Sequence, residues 1–426
     1  MKLSCVFVLI SVFITCSLFG QESPVFSQDT VNISIPDAEQ RFVSKNLSLL
    51  MSQYDAKIAR ANYLQAKLWY NPNLYYGTTL YNQSDKKFFD NQYPGGEVDN
   101  TIQLQQLLTI GGRHSATAKL AKVGIAQAQF QLADLLRSLK YQMYTDLSDL
   151  FSNQALIKMY LSEETKLKHL VDITQQLYNK GNAAGEDVIR LQAQYQGVVA
   201  QEITSQQSIN SDEQDLRILL AYPGKTYIVA KVTIPVSIQI PAYQILVDSA
   251  KKNRPDLMLA FAGLDYQQKN LKLQHASSIP DLTLGITNIG AGSVIPNYWG
   301  ISASMDLPIF SRNQWNVASA HYGTSQAQIN DSLISLTVES QVTTSFVNLY
   351  KLNNQLSQID AQYEQNLDEM MNNAFNNYEK RYISLLDFLS ETTTYIDGKT
   401  NLLNLRTQYF NAIHNLNYTT GIDIIK

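Results

Sequence analysis

Apolar positions three and four apart run through most of this chain, the period of helices with one buried stripe. The pattern predicts a first helical stretch over residues 37–70, ended by Asn71-Pro72. A second covers 113–180, about 68 residues without a proline, which at ~1.5 Å per residue reaches on the order of 100 Å. The turn Gly181-Asn182-Ala183-Ala184-Gly185 breaks it, and 186–221 runs back the other way to Tyr222-Pro223-Gly224. The order then repeats: helix over 243–278, interrupted near Pro255 and ended at Pro280; a long stretch over 312–380; a short turn at Arg381-Tyr382; a return helix to about 419. Helices this long cannot be buried in one globular core and need packed neighbours, as in coiled coils.

Between the helices the period changes to two. Leu282, Leu284 and Ile286 alternate with Thr283, Gly285 and Thr287, and Trp299, Ile301, Ala303, Met305 and Leu307 alternate with Gly300, Ser302, Ser304 and Asp306. The earlier pair is Leu74, Tyr76, Thr78 and Leu80 against Tyr75, Gly77, Thr79 and Tyr81, followed by Ile102 and Leu104 against Thr101, Gln103 and Gln105. These predict hairpins at about 73–108 and 281–307. Strands of about ten residues with one apolar face fit a tilted outer-membrane crossing, and fit equally two half-buried hairpins packed on helices. Four strands cannot close a barrel, and lipid tolerates no open edge, so a membrane role requires several chains.

The two halves are one unit used twice. Tyr178, Asp187, Tyr195 and Leu216 recur as Tyr378, Asp387, Tyr395 and Leu416, a constant separation of 200 positions (378 − 178). Upstream, Asn46-Leu47 pairs with Asn253-Arg254 and Pro72 with Pro280, at separations of 207 and 208. The resulting organisation is a signal at 1–20, a linker at 21–36, a first repeat at 37–222, a connector of short extended pieces within 223–242, a second repeat at 243–421 and a tail at 422–426.

Composition narrows the function classes. Charged residues make up 16% of the chain and the net charge is −4, with no basic stripe, so nucleic acid is not an expected partner. Lys2 and the apolar run that follows read as a secretory signal, too short for a spanning helix. Cys16 sits in a poor lipobox because Thr15 precedes it. The only cysteines, Cys5 and Cys16, lie in the signal, so disulfides and thiol catalysis drop out after its cleavage. His114, His169, His275, His321 and His414 are scattered without metal-ligand spacing, and no nucleophile–His arrangement or phosphate loop occurs. The expectation is a protein that is not an enzyme and holds no cofactor. The carboxylate pairs Glu163-Glu164 and Asp368-Glu369 read as solvated helix faces.

The order signal, helix, hairpin, long helix, turn, helix, repeated once, resembles the TolC-type outer-membrane efflux proteins across residues 37–421. Ala250-Lys-Lys-Asn-Arg-Pro-Asp-Leu257 looks like that family's inter-repeat signature and Ile279-Pro280-Asp281-Leu282 like its strand start. Leu307-Pro308-Ile309-Phe310 and the run ending Gly111-Gly112-Arg113 look like its strand ends, the latter nearer the heavy-metal (CzcC/CusC-like) branch. The resemblance implies a mainly α fold with a small β part. Three protomers would share a twelve-stranded barrel above a twelve-helix periplasmic tunnel, meeting an adaptor (membrane fusion) protein and, through it, an inner-membrane pump. It further implies outer-membrane lipid against Leu282, Leu284, Ile286, Trp299, Ile301 and Ala303. The two turns then line the periplasmic mouth.

At that mouth Tyr378 and Asp187 match the family's tip pair, and Asp387 matches its tunnel-facing carboxylate ring. Tyr178, Gly181, Gly185 and Ser384 belong to the turns and adaptor contact. Arg381 stands where the family usually has a glycine, and Ser390 where it has a second ring aspartate. A plainer reading holds alongside: Asp187 and Asp387 fall in first turns of helices, where a carboxylate gains about 0.3–1 kcal/mol from the helix terminus. Type I protein secretion, and a secreted helical scaffold or adhesin without a pore, are the competing expectations.

Overall fold

The computed structural model describes residues 29–78, 80–83, 86–88, 100–235, 238–290 and 298–425. The expected signal at 1–20 lies outside the described residues, as do the tips of both hairpins. The chain opens with β1 (Thr30–Ser34), α1 (Ile35–Lys45) and α2 (Leu47–Ala66). The strands β2 (Asn73–Gly77), β3 (Tyr81–Asn82), β4 (Lys87–Phe88) and β5 (Thr101–Leu108) follow. Then come α3 (Arg113–Asn179), α4 (Gly185–Leu219) and β6 (Tyr227–Lys231). The second half holds α5 (Tyr243–Asn253), α6 (Pro255–Ala276), β7 (Leu282–Ile289), β8 (Tyr298–Met305), α7 (Gln314–Ser357), α8 (Tyr363–Glu379) and α9 (Leu385–Thr420).

Four corrections to the sequence reading emerge. The stretch 37–70 is two helices, because Asn46 takes an extended conformation, ends α1 and caps α2 through Leu49 N–H (2.9 Å). The 21–36 linker contains a strand: β1 pairs in parallel with β6, and Ile33 and Ile228 are buried there. The 312–380 stretch is not one helix, since α7 ends at Ser357 and α8 restarts at Tyr363 behind Asp360, which accepts from Gln362 N–H (2.8 Å). The 74–81 alternation yields β2 only as far as Gly77, with β3 and β4 forming a separate small hairpin. The tail is docked too: Ile425 N–H donates to Asn417 (3.0 Å), and the Asn417 amide donates to the Ile425 carbonyl (2.7 Å).

The duplication is deeper in the backbone than in the sequence. Asn46 corresponds structurally to Arg254 rather than Asn253, both extended breaks between paired helices, and 254 − 46 equals the 208 found for the prolines. Both reach the end of a return helix: Asn46 Nδ2 donates to the Leu219 carbonyl (2.9 Å) and Arg254 Nη1 to the Thr419 carbonyl (3.2 Å). Positive φ also comes in pairs, Gly112 with Asn313, Gly181 with Arg381 and Ala221 with Gly421.

Burial falls into three clusters, as helices of this length require. One joins Phe42, Leu147, Leu216 and Ile228; a mirror of it joins Leu246, Val342, Tyr409 and Leu416; the third, toward the turns, joins Leu167, Leu191, Met371 and Phe388. On the strand side of the molecule, helices pack as a row, α2 on α3, α3 on α6 and α6 on α7. The row ends are apolar on their free side. Trp315, Tyr322, Ile329 and Leu336 recur every seven residues along α7, all exposed, and Leu47, Met51, Tyr54 and Ile58 do the same at three-and-four spacing along α2.

Candidate functional site

Two regions carry the predicted site residues. The first is a four-stranded antiparallel sheet in the order β2-β5-β7-β8, which brings the two distant hairpins side by side. The register lines Leu74, Leu104, Ile286 and Ile301 into one cross-strand row and Tyr76, Ile102, Asn288 and Trp299 into the next. Leu284 pairs with Ala303, and Leu282 with Met305, on the same face. The opposite face is Gln103, Gln105, Thr287, Gly285, Ser302 and Ser304. Gly285 has its place for a steric reason: a Cβ there would stand 2.5 Å from Ser302 Oγ. The apolar face is open, with Ile301 91% exposed, and just beyond the sheet Phe310 is 92% exposed. No helix among the described residues is long and apolar enough to cross a membrane.

The second region is the pair of helical turns. After α3, Gly181 takes φ +74°, and its N–H donates to the Tyr178 carbonyl (2.9 Å) while Asn182 N–H donates to the Leu177 carbonyl (2.8 Å). After α8 the same two bonds recur, Arg381 N–H to Tyr378 (2.9 Å) and Tyr382 N–H to Asn377 (2.8 Å). Arg381 therefore adopts a left-handed conformation, φ +61°, at a cost of about 1–2 kcal/mol relative to glycine. The turns differ in how the next helix starts. Ser384 caps α9 in a reciprocal box: its Oγ donates to Asp387 Oδ2 (2.7 Å) and accepts from Asp387 N–H (3.2 Å). Ala184 leaves α4 without a side-chain cap.

The predicted tip residues fall close together. Tyr178 lies over the first turn, where a Cβ on Gly185 would approach its ring to 3.2 Å. Tyr378 stacks on Phe388 (centroids 4.9 Å, 18° between planes) and is hydrogen-bonded with Thr174 of α3. Burial pushes the Tyr378 hydroxyl pKa up, the negative charge of Asp187 adds to that, and Arg381 opposes it. Tyr378, Asp187 and Arg381 thus share one electrostatic neighbourhood across the two turns. Asp387 remains exposed, one oxygen engaged at its own helix start.

Sequence reasoning missed a ladder above the turns. Lys399 binds both Glu364 and Asp368 (3.0 Å each), Arg406 binds Glu364 (2.7 Å), and Tyr395 donates to Asp368 (3.1 Å). Glu163, read as a solvated face, is fully buried, with Lys166 at 2.8 Å as the partner of one oxygen. Asp368 is likewise committed to the ladder rather than to solvent alone. Placing the turn at 381 and pairing positions symmetrically about it would have found the α8–α9 contacts.

This architecture defines a class, and the sequence agrees: the outer membrane efflux protein family matches residues 246–421. The fold and the second repeat are similar to those of the TolC-type outer membrane efflux proteins, a family of channel proteins and not of enzymes. Among relatives, outer membrane protein TolC of Vibrio cholerae is 22% identical over 67% of this chain, which spans 64% of that protein's length. The cobalt-zinc-cadmium resistance protein CzcC of Cupriavidus metallidurans is 21% identical over 93% of this chain and 92% of its own. Among solved structures, CusC superposes with a TM-score of 0.71 at 17% identity, over 93% of this chain and 94% of that one. The Campylobacter jejuni CmeC outer membrane channel gives 0.70 at 18%, covering 92% and 87%.

Proposed function

We propose that this chain is the outer-membrane duct of a tripartite efflux system, a passive exit fed through an adaptor protein by an inner-membrane pump. The observation that supports it most is the sheet. Its two edges, β2 and β8, carry no partner strand among the described residues, and one face is mostly apolar, interrupted at Asn288 and Gln106. An edge in lipid must be paired. Three copies joined β8 to β2 give twelve strands, and the exposed stripes on α7 and α2 then meet along the same seam. Twelve strands leave room for a channel where eight would be filled by side chains. The turns at Gly181 and Arg381 then lie at the far, periplasmic end, where Tyr378 and Asp187 hold the mouth and exposed Asp387 carboxylates attract cations. The adaptor would meet the turns at Tyr178, Gly181, Gly185 and Ser384. Cargo is set by the pump; heavy metals are favoured by the likeness to the cobalt-zinc-cadmium resistance protein CzcC, as substrate in transit rather than as a resident cofactor.

The test is the mass of the protein extracted by mild detergent from the outer-membrane fraction. A trimer is expected. A soluble periplasmic monomer would overturn the duct and leave a helical scaffold.

A further inference from the structure

The two repeats are related by fixed steps in numbering, and the steps hold residue by residue in the sheet. β2 lies against β5 as β7 lies against β8: Leu74 opposite Leu104 becomes Leu282 opposite Met305, and Gly77 opposite Thr101 becomes Gly285 opposite Ser302. The step is 208 for the first strand (282 − 74) and 201 for the second (305 − 104). Helix starts keep the second step, since Gly112 before α3 and Asn313 before α7 both take left-handed backbone (313 − 112 = 201). Inside the chain the repeats meet with β5 against β7 and α3 against α6, and Arg113 is ion-paired with Asp281 across that joint. The same joint with the repeats in the other order, β8 against β2, is not made among the described residues.

The surfaces left open are those that the internal joint covers. In the helical row α3 has α2 on one side and α6 on the other, whereas α7 has α6 alone. Ile329 on α7 is 71% exposed, and its equivalent Ala128 on α3 (329 − 201 = 128) is 7% exposed. On α2 the exposed Met51 and Ile58 correspond to Leu259 and Tyr266 of α6 (259 − 51 = 208), which are half-buried.

We infer that a second copy of this chain docks on the open edge in the register of the internal joint, so that the joint between chains reproduces the joint within one. The docking rests on the multi-chain assembly proposed above and goes beyond it in fixing which residues meet. Moving β5 forward by 201 and β7 back by 208 turns Gln106 opposite Leu284 into Leu307 opposite the neighbour's Tyr76. It likewise turns Gln105 opposite Gly285 into Asp306 opposite the neighbour's Gly77. Leu307 and Tyr76 then extend the apolar face, and a glycine again faces a polar side chain on the other. A slip of one residue would turn every side chain to the wrong face. Charge is not copied: Arg113 and Asp281 correspond to Gln314 and Asn73 (314 − 113 = 201, 281 − 73 = 208), and Gln314 accepts from Arg312 N–H of its own chain (2.7 Å). The joint between chains therefore rests on apolar contact and backbone pairing.

The experiment places cysteine pairs across the joint: Tyr76→Cys with Leu307→Cys, and, two residues out of register on the same face, Tyr76→Cys with Met305→Cys. The chain's own cysteines are Cys5 and Cys16, and each single variant supplies the background. Protein extracted in mild detergent is oxidised with copper–phenanthroline and run on a non-reducing denaturing gel. Cβ atoms directly opposite lie about 4.5–5.5 Å apart and diagonal ones about 7–8 Å, and a disulfide needs about 3.5–4.5 Å. The first pair is expected to give linked dimers and trimers, and the second to stay monomeric on the gel. Linking of the second pair instead, or of neither in protein that still extracts as a trimer, would overturn the register and leave the duct standing. Extraction of the unaltered chain as a monomer removes both. A second measurement writes the internal ion pair into the joint: Asn73→Asp with Gln314→Arg is expected to raise the temperature at which the trimer dissociates by more than the two single changes summed. Merely additive effects count against the register.

Discussion

Asp387 and Asp187 occupy equivalent positions 200 apart and have different work. Asp387 closes the capping box with Ser384, an arrangement worth about 0.5–2 kcal/mol to a helix start. Asp187 follows an uncapped Ala184, and its negative charge adds to the rise of the Tyr378 hydroxyl pKa. The tip therefore holds two kinds of carboxylate, one engaged with its own backbone and one available across the turns. Replacing Tyr378 by Phe together with Asp187 by Ala should raise single-channel conductance in a planar bilayer, since it removes both the hydroxyl and the charge that act on each other across the turns. An unchanged conductance would remove these residues from any lock. Arg381 shows what a sequence comparison alone cannot: a charged side chain accepts the left-handed backbone that glycine takes in the other turn. The two turns therefore share one backbone geometry at 181 and 381 and differ in the side chain they carry there.

At the scale of elements, strands and long helices were legible because their periods are strong. Every apolar position named on β7 and β8 shares the face on which the register places it. That alternation makes a sharp prediction. Leu284→Asp puts a charge on the open apolar face and should abolish recovery of the protein from the outer-membrane fraction, while Thr283→Asp, on the polar face, should be recovered normally. A strand face in lipid penalises a charge near the midplane, by about 2–4 kcal/mol for a cation and less for a carboxylate, so equal recovery of both variants would show that the face meets no lipid. The breaks were less legible. Asn46 caps α2, and Asp360 accepts from Gln362 N–H in the joint before α8, inside apolar periodicity that continues past both, so the period hides the break. β1 was hidden because its partner, β6, lies almost 200 residues away and five residues of strand carry little period of their own. The buried carboxylates were invisible for a related reason: a pair such as Glu163-Glu164 reads as surface until the packing of α8 and α9 against α3 is known.

For the whole molecule, two exposed apolar stripes lie at the ends of one helical row. The heptad stripe of α7 and the stripe of α2 bound the same helical row. A helix so exposed on one face is unstable alone and requires a partner helix. Changing Ile329 and Leu336 together to Lys should leave the far-ultraviolet circular dichroism of the solubilised chain intact and convert the trimer proposed above into monomer. A trimer that survives the double change would place the seam elsewhere.

The two long-helix limbs also differ mechanically. In the first repeat one uninterrupted helix of 67 residues joins the strand end to the turn. In the second the same span is jointed at 358–362, and the lower piece, α8, is lashed to α9 by the ladder at Lys399 and Arg406. A push applied at the turns travels up the first limb as through a strut. The second limb takes up the same push at its joint, so it can swing while the strand end stays still.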